Sequence, residues 1–181
     1  MGLGWPNVVS VLRVLLVPAL VVLILVRERT ASYAAAAVFA VAAVTDGVDG
    51  YLARRFSSVT RTGQWLDPLA DKLLVSAPVA TLTALGKFPV WAAVIIVGRE
   101  IGISALRAWL GIRGRAMPAS TAAKVKTGLQ LVAIAMYILP LDARLGGLKL
   151  GVLVVAVGLT VATGIDYVLH ALRPQPEPPV P

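Results

Sequence analysis

Six long runs of apolar residues, separated by short polar stretches, alternate along the chain. A helix needs roughly 20 apolar residues to cross a hydrocarbon layer of about 30 Å, so we predict one membrane span for each run. The fifth run is the shortest, although its helix can extend back through Ala122. The predicted spans are residues 8–26, 33–52, 66–85, 90–110, 127–139 and 148–169. The predicted fold class is therefore all-α, a polytopic membrane protein with six transmembrane helices.

The composition agrees with a single membrane-embedded domain. Of the 181 residues, 58% are hydrophobic and 14% are charged, and the mean hydropathy is +0.84. We predict one domain over residues 1–173 and an extended or disordered Pro-rich tail over 174–181. No basic region precedes the first apolar run, so we expect that span to be retained. The chain has no cysteine, which excludes disulfides and thiolate metal sites.

The formal net charge of +8 fits anionic lipid headgroups and phosphorylated substrates. We do not expect nucleic acid as a partner, because the basic residues lie in short connections between spans. The connections at 53–65 and 111–126 are the most basic, so the positive-inside rule assigns them to the cytoplasm. With six spans, both termini then face the cytoplasm as well. About half of the positive charge could act only to set this orientation, without binding an anionic partner.

Two pairs of aspartates lie within apolar sequence on either side of the connection at 53–65. The spacings of Asp46 to Asp49 and of Asp67 to Asp71 place each pair on one face of a helix. Each pair by itself could be a helix end, since glycine follows the first pair and proline follows Asp67. Both pairs inside membrane spans favour a functional site, because buried carboxylates repel unless cations bind between them. Hard divalent cations prefer such oxygen ligands, so the pattern predicts a metal site for a phosphate-bearing substrate.

Neighbouring residues suggest roles around such a site. Two metal ions could neutralise the charge of a diphosphate. Gly50 would allow a nucleotide to come close to the second helix, and Arg54 could reach the same phosphates with its planar guanidinium. A base is also needed for an attacking hydroxyl, and we assign that role to Asp71, the deepest aspartate on the third helix.

The aspartate stretch resembles the signature of the CDP-alcohol phosphotransferase family, D-x-x-D-G-x-x-A-R, eight residues, then G-x-x-x-D-x-x-x-D. All positions are matched by Asp46, Asp49, Gly50, Ala53, Arg54, Gly63, Asp67 and Asp71. The resemblance implies a six-helix membrane enzyme, usually a homodimer, that transfers a phosphatidyl or related group from a CDP-linked donor to an alcohol and releases CMP. It also implies that the four aspartates bind Mg²⁺ or Mn²⁺, with two ions expected. Gly50 and Arg54 would hold the CDP group, and Asp71 would be the general base.

Further stretches are similar to the phosphatidylglycerophosphate synthase branch of this family: WPNVVSVLRVLLVP, DPLADKLL, GREIGISALR and KVKTGLQ. This branch implies CDP-diacylglycerol as donor, sn-glycerol 3-phosphate as acceptor and a place in the plasma membrane with the site facing the cytoplasm. The similarity extends from Trp5 to about His170 and leaves out the tail. Another acceptor, such as an inositol phosphate or serine, stays open, and a cation transporter is the alternative outside the family.

The phosphate of the acceptor requires positive charge near the metals. The basic positions that match are Arg99, Lys124 and Lys126. The two lysines could instead anchor a helix at the membrane interface. Arg99 fits that alternative poorly, because it lies about half-way along a span, and the adjacent Glu100 points about 100° away around the helix. Arg107 could line the same cavity or mark the membrane boundary, and Arg13 could reach the interface or a substrate phosphate.

Overall fold

The computed structural model describes residues 5–56, 63–113 and 121–172, and within them the side chains of 11–45, 69–113 and 125–172. In these ranges every regular element is helical. The long helices are α1 Trp5–Val26, α2 Arg29–Phe56, α3 Gly63–Ala84, α4 Val90–Ile112, α5 Thr121–Ile138 and α6 Gly146–Leu172, with a 3₁₀ turn at Ala143–Leu145 before α6. The predicted order of six helices is therefore found in the described part of the chain.

Three short connections join α1 to α2, α3 to α4 and α5 to α6. The end of α3 is set by Gly86, which has a φ of 69° that favours a residue without Cβ. Its N–H bonds to the carbonyl of Thr83, and the N–H of Lys87 bonds to that of Leu82, both at 2.9 Å. This is the Schellman pattern, which satisfies the last carbonyls of a helix. Pro89 then precedes α4, where its fixed φ suits a helix start.

The three connections lie at one end of the helix bundle, since residues from all of them line a common cavity. We call this end the turn end. The helix ends at Phe56, Gly63, Ile112 and Thr121 lie at the other end, which we call the signature end. The aspartates of the sequence signature are nearer to the signature end, because they occupy the last turns of α2 and the first turns of α3.

The core is built by α1 packing on α2 and α3, α5 on α6 and α2, and α4 on α3 and α6. Large apolar side chains such as Leu20, Phe39, Ile96 and Ile134 are almost completely buried. Ala35, Ala92, Ala133 and Ala156 have no exposed surface, and such small residues allow helix backbones to approach closely. Many other large apolar side chains face outward, among them Leu15, Val44, Val94, Ile101 and Ile112. An apolar exterior of this kind fits a lipid environment.

Helix boundaries differ from the predicted spans where polar residues continue a helix. α2 begins at Arg29 instead of residue 33, and α5 begins at Thr121 instead of residue 127. Of the described helices, one is long and apolar enough by itself to cross a membrane, the segment Ala143–Leu172 with a mean hydropathy of 2.1. Shorter apolar segments cover Val11–Val26, Arg29–Thr45 and Val125–Ile138. The predicted tail at 174–181 lies outside the described residues.

Candidate functional site

A cavity of about 220 Å³ opens between α3, α4 and α5, and we call it the polar cavity. Charged and amide side chains form much of its lining: Asp71, Lys72, Arg99, Glu100, Arg107, Lys126 and Gln130. The lining contains four cationic and two acidic side chains, an excess of two positive charges. A cavity with this balance favours an anionic ligand that also meets a carboxylate.

Helical spacing explains why α5 contributes two polar residues to this cavity. Lys126 and Gln130 are four positions apart, so their side chains lie on one face of the helix. Both are almost completely buried, with exposures of 2% and 1%. The burial of Lys126 argues against the alternative in which it anchors α5 at the membrane surface.

Glu100 connects two of the three predicted phosphate-binding cations, Arg99 and Lys126. Its Oε1 accepts a hydrogen bond from Arg99 Nη1 at 3.2 Å and another from Lys126 Nζ at 2.5 Å. The 100° between adjacent helical positions does not separate Arg99 from Glu100, because both side chains are long enough to bend together. Arg99 and Lys126, from two helices, are thus held side by side by one carboxylate.

Asp71 is tied to α1 by an ion pair with Arg13. Arg13 Nη1 donates to Asp71 Oδ1 at 2.9 Å, although the residues are 58 positions apart in the chain. The arginine side chain is 4% exposed, whereas that of Asp71 is 50% exposed. The pair therefore holds the carboxylate from its buried side, and the same aspartate lines the polar cavity.

Arg107 lines the polar cavity as well, which favours the first of the two roles considered for it. Its Nε donates to the hydroxyl of Tyr167 on α6 at 3.0 Å, and its guanidinium lies 5.0 Å from the centre of that ring. The tyrosine therefore fixes the side chain from the α6 side through a hydrogen bond and a cation–π contact.

Gln130 is a polar residue whose importance sequence reasoning missed. Among the described residues, neither its Nε2 nor its Oε1 has a hydrogen-bond partner, and both atoms are buried. An unsatisfied buried polar group costs about 1–3 kcal/mol, so a water or a ligand is expected to bind there. Its position one helical turn after Lys126, within KVKTGLQ, was the available signal.

Comparison with known protein families gives a match over most of the chain. The family model described as CDP-alcohol phosphatidyltransferase matches residues 3–163. The chain belongs to this family. The resemblance inferred from the aspartate signature is thereby confirmed, and the protein is an integral membrane enzyme of the transferase class.

Curated relatives cover most of the chain. A protein of Mycobacterium tuberculosis named probable phosphatidylglycerophosphate synthase is 39% identical over 170 residues, which are 92% of this chain and 81% of the relative. The CDP-diacylglycerol–glycerol-3-phosphate 3-phosphatidyltransferase of Pseudomonas fluorescens is 39% identical over 92% of this chain and 89% of its own. The protein of the same name from Bacillus subtilis is 34% identical, with coverage of 90% and 92%.

Three of the predicted site residues line the polar cavity, namely Asp71, Arg99 and Lys126. The other predicted residues belong to described helices, but their side chains lie outside the described set: Asp46, Asp49, Gly50 and Arg54 on α2, Asp67 on α3 and Lys124 on α5. Asp71 is therefore the single member of the four-aspartate set whose surroundings are visible. Its half-exposed carboxylate is a suitable hard oxygen donor for the divalent metal typical of this family.

An apolar groove of about 510 Å³ between α4 and α6 adjoins the polar cavity at Arg99, which lines both. Its walls include Ile103, Leu106, Val161 and Ile165. The stem of Arg99 packs over Gly164, where an added Cβ would lie 3.5 Å from the arginine Cγ. The polar cavity and the apolar groove therefore meet at the side chain of Arg99.

Proposed function

We propose that this enzyme transfers the phosphatidyl group of CDP-diacylglycerol to sn-glycerol 3-phosphate, giving phosphatidylglycerophosphate and CMP. The names of the curated relatives, at 34–39% identity across most of the chain, support this donor and acceptor. The observation that carries the proposal is the polar cavity, in which the cations Arg99 and Lys126 share a lining with the carboxylate Asp71.

In the proposed complex, Arg99 and Lys126 bind the phosphate of the acceptor, with Lys124 as a third cation. A guanidinium binds two phosphate oxygens with parallel hydrogen bonds, and an ammonium adds a point charge. Glu100 supports this assignment, because it holds the two cations next to each other before the acceptor arrives. Little rearrangement is then needed for binding, which preserves affinity.

Gln130 is proposed to bind the central hydroxyl of glycerol 3-phosphate. A carboxamide both donates and accepts hydrogen bonds, as an alcohol does, and both functions of Gln130 lack a partner among the described residues. Its location one turn from Lys126 suits a hydroxyl on the carbon next to the phosphate-bearing carbon.

Asp71 is proposed to accept the proton of the 1-hydroxyl of the acceptor. The freed oxygen attacks the β-phosphorus of CDP-diacylglycerol in line and forms the new P–O bond. The bond from that phosphorus to the bridging oxygen of the diphosphate breaks, and CMP leaves with the electron pair. Arg13 supports this role by holding one carboxylate oxygen, which fixes the orientation of the base.

The divalent ions expected of the family, Mg²⁺ or Mn²⁺, are proposed to be held by Asp46, Asp49, Asp67 and Asp71. Bound there, two metal ions would supply charge neutralisation for the diphosphate. Gly50 and Arg54 are proposed to hold the CDP group from α2, as the family signature implies.

We further propose that all six helices cross the plasma membrane, that the signature end faces the cytoplasm and that the enzyme is a homodimer. The basic composition of the two longest connections supports the orientation. The apolar groove is proposed to take an acyl chain of the donor, because it adjoins the polar cavity at Arg99.

The proposal is tested by measuring CMP release from CDP-diacylglycerol in detergent. We expect release that requires glycerol 3-phosphate, that stops on addition of a chelator and that returns with Mg²⁺ or Mn²⁺. Equal or faster release with an inositol phosphate or with serine would reassign the acceptor. Ion flux through liposomes without CMP production would instead favour a transporter.

A further inference from the structure

A second cavity, of about 560 Å³, lies at the turn end and shares no lining residue with the polar cavity. We call it the basic cavity. Its cationic side chains come from three parts of the chain: Arg27 and Arg29 where α2 begins, Lys87 between α3 and α4, and Lys149 in the first turn of α6. These three parts are far apart in the sequence, so the fold itself brings the four cations together.

Carboxylates do not balance these charges. Asp142 is the one acidic residue in the lining, and its Oδ1 accepts from the N–H of Arg144 at 2.8 Å as the cap of the 3₁₀ turn. No ion pair joins any of the four cations to a carboxylate within the described ranges. Cations around one cavity repel each other, and near a membrane this repulsion is screened less than in bulk water. An anion in the cavity would remove that cost.

Aromatic packing fixes one of these cations in place. Lys149 is partly buried, and its Nζ lies 4.1 Å from the centre of the Tyr137 ring. That ring packs edge-on against Phe88 at 4.8 Å between centroids, and both aromatic residues are buried. The ammonium is therefore positioned by the core, unlike a lysine that moves freely in solvent.

Membrane orientation does not account for the basic cavity. The positive-inside rule requires basic residues in the connections at the signature end, whereas these four lie at the opposite end. The cations at the turn end therefore need another explanation. Phospholipid headgroups lie at the ends of membrane-spanning helices, so a lipid phosphate can reach these cations. The lining also contains Ile138, Leu139 and Leu141, which could contact the glycerol and the first methylenes of a lipid.

We propose that the basic cavity binds the phosphate of an anionic phospholipid from the leaflet at the turn end. The four cations face the phosphate, and the apolar residues at the end of α5 contact the glycerol backbone. This site depends on the membrane location of the protein and is independent of the reaction at the polar cavity.

Lipid retention measured by native mass spectrometry tests the proposal. The full chain is purified in detergent and exchanged with phosphatidylglycerol or with phosphatidylcholine of the same acyl chains. We expect wild type to retain phosphatidylglycerol selectively. The triple variant Arg27→Gln, Arg29→Gln, Lys149→Gln should bind it about 100-fold more weakly, since each basic residue near a membrane contributes about fivefold. Lys87→Gln alone, a milder change, should weaken binding about fivefold.

Arg144→Gln is the matched control, because Arg144 is exposed at the same end and outside the cavity lining. It should retain lipid like wild type, and CMP release by all variants should equal that of wild type, which shows that they fold. Equal retention of both lipids by wild type, or unchanged retention in both the triple variant and Lys87→Gln, would overturn the proposal. Displacement of phosphatidylglycerol by millimolar inorganic phosphate would assign the cavity to a free anion and also overturn it.

Discussion

Arg13 on α1 and Asp71 on α3 form an ion pair, with 2.9 Å between Nη1 and Oδ1, at the side of the polar cavity. The arginine is buried, and the aspartate is half exposed. The carboxylate that Arg13 holds also belongs to the lining of the cavity. The pair therefore explains how α1, which contributes no described side chain to the lining, affects the geometry of the cavity.

Replacing Asp71 by Asn should abolish turnover while leaving the protein folded. The amide oxygen can still accept a hydrogen bond from Arg13, so we expect the fold to be kept, with a lower unfolding temperature because the buried guanidinium loses its counter-charge. It cannot take the proton of the attacking hydroxyl, and loss of a general base typically costs about 10²–10⁴-fold in rate. The measurement is CMP release, with thermal unfolding in detergent as the check on folding.

Ser76→Ala provides a matched control on the same helix. The Ser76 hydroxyl bonds to the carbonyl of Lys72 within α3, so its removal should change the rate by less than about twofold. Activity of Asp71→Asn near that of Ser76→Ala would disprove the role of Asp71 as base.

Glu100→Gln should destabilise the enzyme in the absence of substrate. Arg99 and the buried Lys126 would lose the negative charge between them, and breaking a buried ion pair costs about 3–5 kcal/mol. Glu100 is 25% exposed, so we expect a smaller loss of about 2 kcal/mol in the free energy of unfolding. Glycerol 3-phosphate should then stabilise the variant more than wild type, because its phosphate replaces the missing charge.

Asp166→Asn is the control for this comparison. Asp166 pairs with His170 on the exposed part of α6, and such pairs contribute little to stability. We expect its unfolding free energy to stay within about 0.5 kcal/mol of wild type. Equal stabilisation of wild type and Glu100→Gln by glycerol 3-phosphate would show that the ligand phosphate does not bind between these cations.

The number and order of helices could be predicted because each one carries a long apolar run. The ends could not, since α2 and α5 continue through polar residues that hydropathy assigns to connections. Residues that satisfy helix ends by backbone hydrogen bonding, such as Gly86, were better signals. Hydropathy indicates which residues lie in an apolar environment, whereas the length of a helix also depends on the backbone hydrogen bonds at its ends.

Site residues could be predicted where a charged side chain lies in or next to an apolar run, because such a charge is costly in a membrane. Asp71, Arg99 and Lys126 were each selected from sequence, and all three line one cavity, although their roles stay predictions. Glu100 was expected to point away from Arg99, and Gln130 was not selected at all. Their importance depends on which helices pack together, because α4 and α5 must be adjacent before Glu100 can reach Lys126. A single sequence does not contain that information.

Gln130→Leu should lower activity without lowering stability. Leucine has a similar volume and removes two unsatisfied polar atoms, a change that is often neutral or stabilising. The loss in kcat/KM for glycerol 3-phosphate should be about tenfold, as expected for one hydrogen bond of about 1.5 kcal/mol. The KM for CDP-diacylglycerol should not change.

A substrate lacking one hydroxyl identifies the partner of Gln130. 1,3-Propanediol monophosphate keeps the attacking hydroxyl and the phosphate of glycerol 3-phosphate but lacks the central hydroxyl. Wild type should prefer glycerol 3-phosphate about tenfold, and Gln130→Leu should show almost no preference, because the two changes remove the same bond. An undiminished preference in the variant would place the central hydroxyl elsewhere.

Gly164→Leu should impair the use of long-chain donor. The new side chain would fill the groove between α4 and α6 and press on the stem of Arg99, which already lies 3.5 Å from a Cβ at this position. Because the groove is proposed to hold an acyl chain, the KM for CDP-diacylglycerol should rise about tenfold, an effect of about 1.4 kcal/mol. A short-chain donor should be affected less.

Gly158→Leu is the matched control on the same helix, since nothing lies within 4 Å of a Cβ at Gly158. Equal effects of the two substitutions, or equal loss with short and long chains, would rule out the groove as the acyl site.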